Sequence, residues 1–409
     1  MGIQEHFEVP AGDNSRMAAQ QKSDIVIIGG GIVGSALAYF LTSSNDGKKV
    51  TIIDRAFAQL KGSTGYAPGF VGQFNESDVL TRLSIESVKE YLKVPGGFET
   101  VGGLEVATST AGLENLEWRR TTAKERGLDA EIISAQQAAD LAPDLVKPDN
   151  VAALYFPGAG TANPTVIAAF FQSEAQAKGA ELLEADVNDI QQAEGRVTGV
   201  TTSAGFIEAQ TVILATGIWA QSLADFGFPV PVIPVAHPYM YGEYHEPKAN
   251  KSPFVRYPEY HVYVRDHGPF FGLGSYDHKP LAEKPKGTAI GDWMGEFDAT
   301  LDRALRLIPE KTKLSVREKF NGIFSMTPDN LPLVGEIPTA KGLYMAAGVW
   351  VTHAAGSAKF LTQMLRGEQV DAAMRKALDP TRFQGRDLES LERESLNCYN
   401  SIYSTYENS

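Results

Sequence analysis

The chain has 409 residues, is 43% hydrophobic and 21% charged, and carries a net charge of −13 at pH 7. That length suits two domains or one large composite domain, and the acidic balance argues against nucleic acid or an anionic membrane as partner. No apolar run reaches the roughly 18 residues of a spanning helix, and the single cysteine, Cys398, leaves no internal disulfide or cysteine metal cluster.

Residues 1–21 read as a flexible tail, polar and without apolar period. They fit neither a signal peptide nor a transit peptide, and His6 stands where myristoylation needs Ser or Thr. With one thiol, which fits a reducing compartment, a cytoplasmic protein is expected.

Asp24-Ile25-Val26-Ile27-Ile28 has the form of a buried parallel strand. Gly29-Gly30-Gly31-Ile32-Val33-Gly34 follows, then a helical segment over 35–41, then a second apolar run over 50–53 that ends at Asp54 and Arg55. This is a dinucleotide fingerprint in order. Gly29 permits the tight turn, Gly31 lets the backbone approach a pyrophosphate, and Gly34 lets helix and strand pack closely. Asp54, twenty residues past Gly34, is placed to accept bonds from ribose hydroxyls. The phosphates are expected on the helix N-terminus. An acid at this position disfavours a 2′-phosphate, which leaves FAD or NAD.

Further glycine stations favour FAD. Gly62-Ser63-Thr64-Gly65-Tyr66-Ala67-Pro68-Gly69 is small and hydroxyl-rich. Thr211-Val212-Ile213-Leu214-Ala215-Thr216-Gly217 is a buried strand that ends in a glycine turn, with Trp219 just beyond. Gly342-Leu343-Tyr344-Met345-Ala346-Ala347-Gly348 is another, and it leads through Val349-Trp350-Val351-Thr352-His353 into a helix of small residues. A nicotinamide enzyme needs fewer returns to its cofactor.

Five of the seven histidines, His237, His245, His261, His267 and His278, crowd one stretch with tyrosines and phenylalanines. Period-2 alternation puts His237, Tyr239 and Tyr241 on one strand face, and His261, Tyr263 and Arg265 on one face of a second strand. Two polar-aromatic faces suit the roof of a pocket over a planar cofactor. No metal is expected, because the histidines lack ligand spacing.

These stretches resemble the D-amino-acid-oxidase-type flavoproteins, and within them the flavin half of the dimethylglycine oxidase and sarcosine dehydrogenase group. The resemblance runs from about Ile25 to about Phe383. It also rests on Val101-Gly102-Gly103-Leu104-Glu105, Gly272-Leu273-Gly274-Ser275-Tyr276 and Phe320-Asn321-Gly322-Ile323-Phe324. It implies an α/β fold: a Rossmann-type FAD-binding domain interleaved with an α+β substrate domain on an antiparallel sheet. The cofactor domain is expected over 22–75, 145–225 and 318–378, the substrate domain over 76–144 and 226–317. The charged segment 379–409 reads as a tail over the surface. Expected cofactor contacts are Gly29, Gly31, Ile32, Val33, Gly34, Asp54, Arg55, Gly62, Ser63, Thr64, Tyr66, Ala67, Pro68, Gly69, Val187, Ala215, Thr216, Gly217, Trp219, Gly322, Gly348, Trp350, Val351, Thr352 and His353.

The resemblance implies oxidation of a small secondary or tertiary amine, an N-methyl amino acid such as dimethylglycine or sarcosine. Hydride passes to flavin N5, and O2 or a protein accepts the electrons. His237, Tyr239, Tyr263, Arg265 and His353 are the expected catalytic residues. A biosynthetic oxidase with intramolecular iminium capture and a non-catalytic flavin-binding protein stay open as alternatives. Tyr66 stands where the relatives carry a flavin-bonding histidine, so the FAD is expected to be non-covalent. The relatives' one-carbon transfer domain finds no room before Ser409, so free formaldehyde is expected.

Overall fold

A computed structural model describes residues 21–44, 47–222, 229–312 and 314–402; the tail expected over 1–20 lies outside the described residues. Gln21, counted with that tail, instead pairs with Ile207, because Gln21–Lys22 adds a short parallel strand to Gly205–Glu208.

Strand Ile25–Ile28 is buried throughout. Its alternate residues serve two cores. Ile25 and Ile27 pack with helices Ile32–Thr42, Pro164–Ala177 and Ala354–Leu365. Val26 and Ile28 pack towards Val200 and Ile207 of a four-stranded sheet. Burial on both faces is why the run is continuously apolar. Among the described residues the strand is central in a six-stranded sheet. The order is Glu181–Glu184, Val50–Asp54, Ile25–Ile28, Thr211–Leu214, Leu343–Ala347 and Leu333–Glu336. All neighbours are parallel except the last pair.

Among the described residues a nine-stranded sheet supplies the other layer. Its order is Ile290–Gly291, Val316–Met326, Ile233–Gly242, Phe271–Ser275, Val262–Asp266, Phe254–Tyr257, Gly103–Ala107, Ala152–Phe156 and Glu131–Ser134. Phe254–Tyr257 runs parallel to Gly103–Ala107, and the other pairs are antiparallel.

The structure adds four particulars to the expectations. Strand Ala152–Phe156, inside the span 145–225 expected for the cofactor domain, pairs with Gly103–Ala107 and Glu131–Ser134 of the nine-stranded sheet. Val316–Met326 likewise pairs along its length with Ile233–Gly242. Both choices of partner are long-range and leave no local mark in sequence. His261 is not a strand residue: it follows the turn Pro258–Tyr260 with φ +54°, in the left-handed region, and the strand starts at Val262. The segment after 379 is more than a surface tail. Its helix Leu388–Asn400 buries Leu391, Ser395 and Tyr399, one face at i, i+4 and i+8.

One buried ion cluster ties the layers of the roof together. Glu105, 2% exposed, accepts from Arg119 Nε and Nη2 at 2.6 and 3.0 Å and from Arg256 Nη1 at 3.0 Å. Burial pushes its carboxyl up, but the two guanidinium groups outweigh burial and hold it below the usual carboxylate range. A depressed acid contributes stability above its unfolded pKa and loses it as pH falls through the folded value. Glu105→Gln removes the charge that the buried Arg119 and the partly buried Arg256 share, and leaves Arg119 with Glu76 at 3.0 Å. It is expected to cost about 3–5 kcal/mol in urea unfolding at neutral pH, with the gap to wild type closing in acid. An unchanged urea midpoint would count against this role.

Candidate functional site

A cavity of about 490 Å³ runs from the ends of the parallel strands to the face of the nine-stranded sheet. At the first end, the chain turns sharply at Gly29, whose φ is +108°. A Cβ on Gly29 would strike the Ala215 carbonyl, and one on Gly34 would strike the Gly29 carbonyl. Glycine at both places lets helix Ile32–Thr42 start flush against the sheet. The helix has Gly31 as its N-cap and no side-chain cap, so its first turn offers peptide N–H groups to the cavity. That end also carries the positive pole of the helix. Thr64 Oγ1 accepts from Ile32 N at 3.0 Å and locks the second loop over this terminus.

Asp54 lines the cavity and accepts from Gly30 N at 2.7 Å and Ala56 N at 2.9 Å. Arg55 lies over the Trp219 ring, 4.4 Å from its centroid. Thr216 Oγ1 is buried on the cavity wall with no hydrogen-bond partner. A Cβ on Gly62 would press on the Trp219 ring at 3.3 Å. Uncapped N–H groups, a carboxylate one strand away, an orphaned hydroxyl and a clearance kept by glycine together fit a dinucleotide.

At the other end, His237, Tyr239, Tyr263 and Tyr276 form the wall with Phe320, Phe324 and Trp350. His237 is 2% exposed. Its Nε2 bonds the Tyr263 hydroxyl at 2.7 Å and its Nδ1 bonds the Tyr399 hydroxyl at 2.6 Å. Its peptide N–H donates to Asn321 Oδ1 at 2.9 Å, which fixes the strand beneath it. Burial, reinforced by His278, holds the imidazole well below its usual range, so it is neutral at pH 7. His353 lines the cavity at the N-terminus of helix Ala354–Leu365, and burial lowers it to about 3.

Nearly all the expected cofactor contacts line this cavity. Gly34 and Gly348 do not: Gly34 is consumed in helix–strand packing, and Gly348 is a turn with φ +65° against Thr327. Arg265 is also displaced from its expected place. It is not on the cavity wall; its guanidinium sits behind the wall and donates to the Pro68 carbonyl and, at 2.9 Å, to the Ala162 carbonyl. It positions the loop that carries Pro68 and Gly69, since those buried carbonyls need a donor. His245, His261 and His267 are not on the cavity wall.

Two contributors escaped the sequence reading. Arg256, on strand Phe254–Tyr257, brings a cation to the cavity. The tail helix brings Tyr399 against His237, and Ile402 reaches the cavity. The spacing of Leu391, Ser395 and Tyr399 was the available signal for a docked helix.

A cradle for a dinucleotide that opens beneath a buried His–Tyr wall is the plan of a flavin-dependent oxidoreductase. The chain belongs to the DAO family, described as FAD dependent oxidoreductase, whose family model matches residues 24–364. FAD is its cofactor. The chain is 28% identical over 411 residues to mouse (Mus musculus) mitochondrial dimethylglycine dehydrogenase, covering 93% of this chain and 46% of that protein. It is 27% identical to human (Homo sapiens) mitochondrial sarcosine dehydrogenase, covering 80% of this chain and 37% of that one. The chain thus spans less than half the length of these two relatives. Among solved structures, L-proline dehydrogenase from P. horikoshii matches with a TM-score of 0.80 at 23% identity, over 89% of this chain and 98% of that one.

Asp54→Ala removes the charge-assisted bonds available to a ribose, each worth about 1.5–3 kcal/mol. FAD retention is expected to fall more than tenfold, read from flavin absorbance per protein after dialysis, with Asp54→Glu milder. An alanine variant that keeps its full flavin would contradict the assignment of Asp54.

Proposed function

We propose that this protein oxidises the C–N bond of a small secondary or tertiary amine, an N-methyl amino acid such as dimethylglycine or sarcosine. The observation that carries this reading is the neutral, buried His237 bonded to Tyr263 on the cavity wall. Bound FAD supplies a two-electron acceptor for the C–H bond next to nitrogen. The chain's own task is to bind the amine and take its proton. An ammonium has no lone pair to drive C–H cleavage, so a nearby base raises the rate by holding the neutral amine. The linked Tyr263–His237 pair is that base. The aromatic wall of Tyr239, Tyr276, Phe324 and Trp350 excludes water and suits N-methyl groups. Arg256 gives the amino acid's carboxylate a counter-ion. The names of the dimethylglycine and sarcosine dehydrogenases support the substrate class. A cytoplasmic location is proposed on the single thiol, Cys398, which suits a reducing compartment.

The test is anaerobic titration of the holoprotein with sarcosine and with dimethylglycine. Bleaching of the flavin with one formaldehyde per flavin reduced is expected. Bleaching without formaldehyde would indicate intramolecular capture, and a flavin that no amine bleaches would indicate a binding role. Re-oxidation on admitting air marks O2 as acceptor, and persistent bleaching marks a protein acceptor. His237→Ala is expected to slow flavin reduction about 10²–10⁴-fold with FAD content kept. Tyr263→Phe should cost less, and the double variant less than the product of the singles.

Tyr66 lines the cavity at the place where the resembling enzymes carry the tethering histidine. The cofactor is proposed to be non-covalent, so acid precipitation should leave the yellow colour in the supernatant. Colour retained in the pellet would overturn that.

A further inference from the structure

The His237–Tyr263 pair continues away from the cavity. His237 Nδ1 bonds the Tyr399 hydroxyl at 2.6 Å, and that hydroxyl bonds His278 Nε2 at 2.8 Å. His278 Nδ1 bonds the Lys279 carbonyl at 2.9 Å. Tyr399 is fully buried, whereas His278 is only half-buried. The series therefore leads from the cavity wall outward.

Its polarity follows from counting protons. A carbonyl only accepts, so His278 Nδ1 donates to Lys279. A neutral His278 then accepts at Nε2, and the Tyr399 hydroxyl spends its one proton there. His237 Nδ1 must donate to the Tyr399 oxygen, which leaves His237 Nε2 to accept the Tyr263 proton. The Tyr263 oxygen thus offers lone pairs at the cavity wall, as a base must. Burial keeps both imidazoles below their usual range, which fits the neutral forms the count requires.

We infer that Tyr263, His237, Tyr399 and His278 form a directional proton relay that carries the substrate's ammonium proton out of the cavity. The inference rests on the amine reading above. Each link breaks one bond to hydrogen and makes one. The substrate N–H breaks as a new O–H forms on Tyr263, whose former proton moves to His237 Nε2. The His237 Nδ1 proton moves to Tyr399, whose former proton moves to His278 Nε2. No electrons change owner. One positive charge leaves the substrate nitrogen and appears on His278, both tyrosines stay neutral, and His237 changes tautomer.

The surroundings of His278 suit a terminus. Glu296 on helix Glu296–Leu305 and the adjacent Asp277 favour its cation, and Arg303 opposes it. Arg303 is itself bonded to Asp277 at 2.7 Å. The Phe297 ring covers one side at 4.8 Å. From the tail helix, Asn400 donates to the Tyr276 and His278 carbonyls at 2.6 and 3.0 Å, which holds Tyr399 in register. The Tyr276 and Phe324 rings flank His237 at 4.5 and 4.9 Å and keep water from short-circuiting the path.

Two measurements test the relay on the holoprotein. Nitrogen-15 spectra of histidine-labelled protein separate protonated from bare ring nitrogens, with His237→Asn and His278→Gln used to assign the two residues. Both rings are expected to carry the proton on Nδ1, and a proton on Nε2 of either would overturn the polarity. The second is flavin reduction by sarcosine across pH in Tyr399→Phe, which keeps the ring packing, and in His278→Gln. Each is expected to lose at least about tenfold at pH 7. The loss should shrink by about tenfold per pH unit as the free amine supplies its own lone pair. A loss of equal size at every pH, or no loss, would overturn the relay, because a purely structural role has no reason to follow the amine's titration. If neither sarcosine nor dimethylglycine bleaches the wild-type flavin, the amine reading falls and the tautomers alone decide whether the wire exists.

Discussion

The closeness of helix Ile32–Thr42 to strand Ile25–Ile28 governs the whole molecule. Two glycines make it possible, because a side chain on either would meet a backbone carbonyl, that of Ala215 or of Gly29, just past a strand end. The helix consequently begins at the edge of the cavity, with Thr64 holding the Ile32 N–H and no side chain of its own N-cap residue, Gly31, covering the rest of the first turn. Loops that end at Thr64 and Thr216 can then close on the same point. An alanine in place of Gly34 would lift the helix and pull its positive end off the ligand.

The opposite wall obeys a different constraint. A buried imidazole must have both nitrogens partnered or lose stability. His237 meets that demand with two tyrosines drawn from different parts of the chain, Tyr263 on a neighbouring strand of the roof and Tyr399 on the tail helix. Satisfaction at this depth leaves a single low-energy arrangement, so the aromatic rings around it pack in fixed orientations.

What was legible in the sequence follows from range. The glycine fingerprint, the apolar strands and Asp54 lie within some thirty residues of each other, and local pattern carries them. Alternation put His237 and Tyr263 on inward faces because a strand has a period of two. It failed at His261, where a left-handed residue ends a turn and breaks the period. It could not show that the Arg265 guanidinium bonds the Pro68 and Ala162 carbonyls instead of standing on the cavity wall. Tyr399 was invisible for a deeper reason: 162 positions separate it from His237, and only tertiary docking brings them together. The buried stripe on its helix was present in the sequence but was masked by the charged residues around it.

The path of the chain between the two large sheets has an evolutionary consequence. It enters the nine-stranded sheet at Gly103–Ala107 and leaves it after Ala152–Phe156. It returns at Ile233–Gly242 and leaves again after Val316–Met326. No single cut separates the roof from the floor, so a recombination event cannot import a new roof as one cassette. A change of substrate by point changes along strands already in place needs no such exchange. Each such change is made under the constraint that the long-range pairing of the sheet survives it.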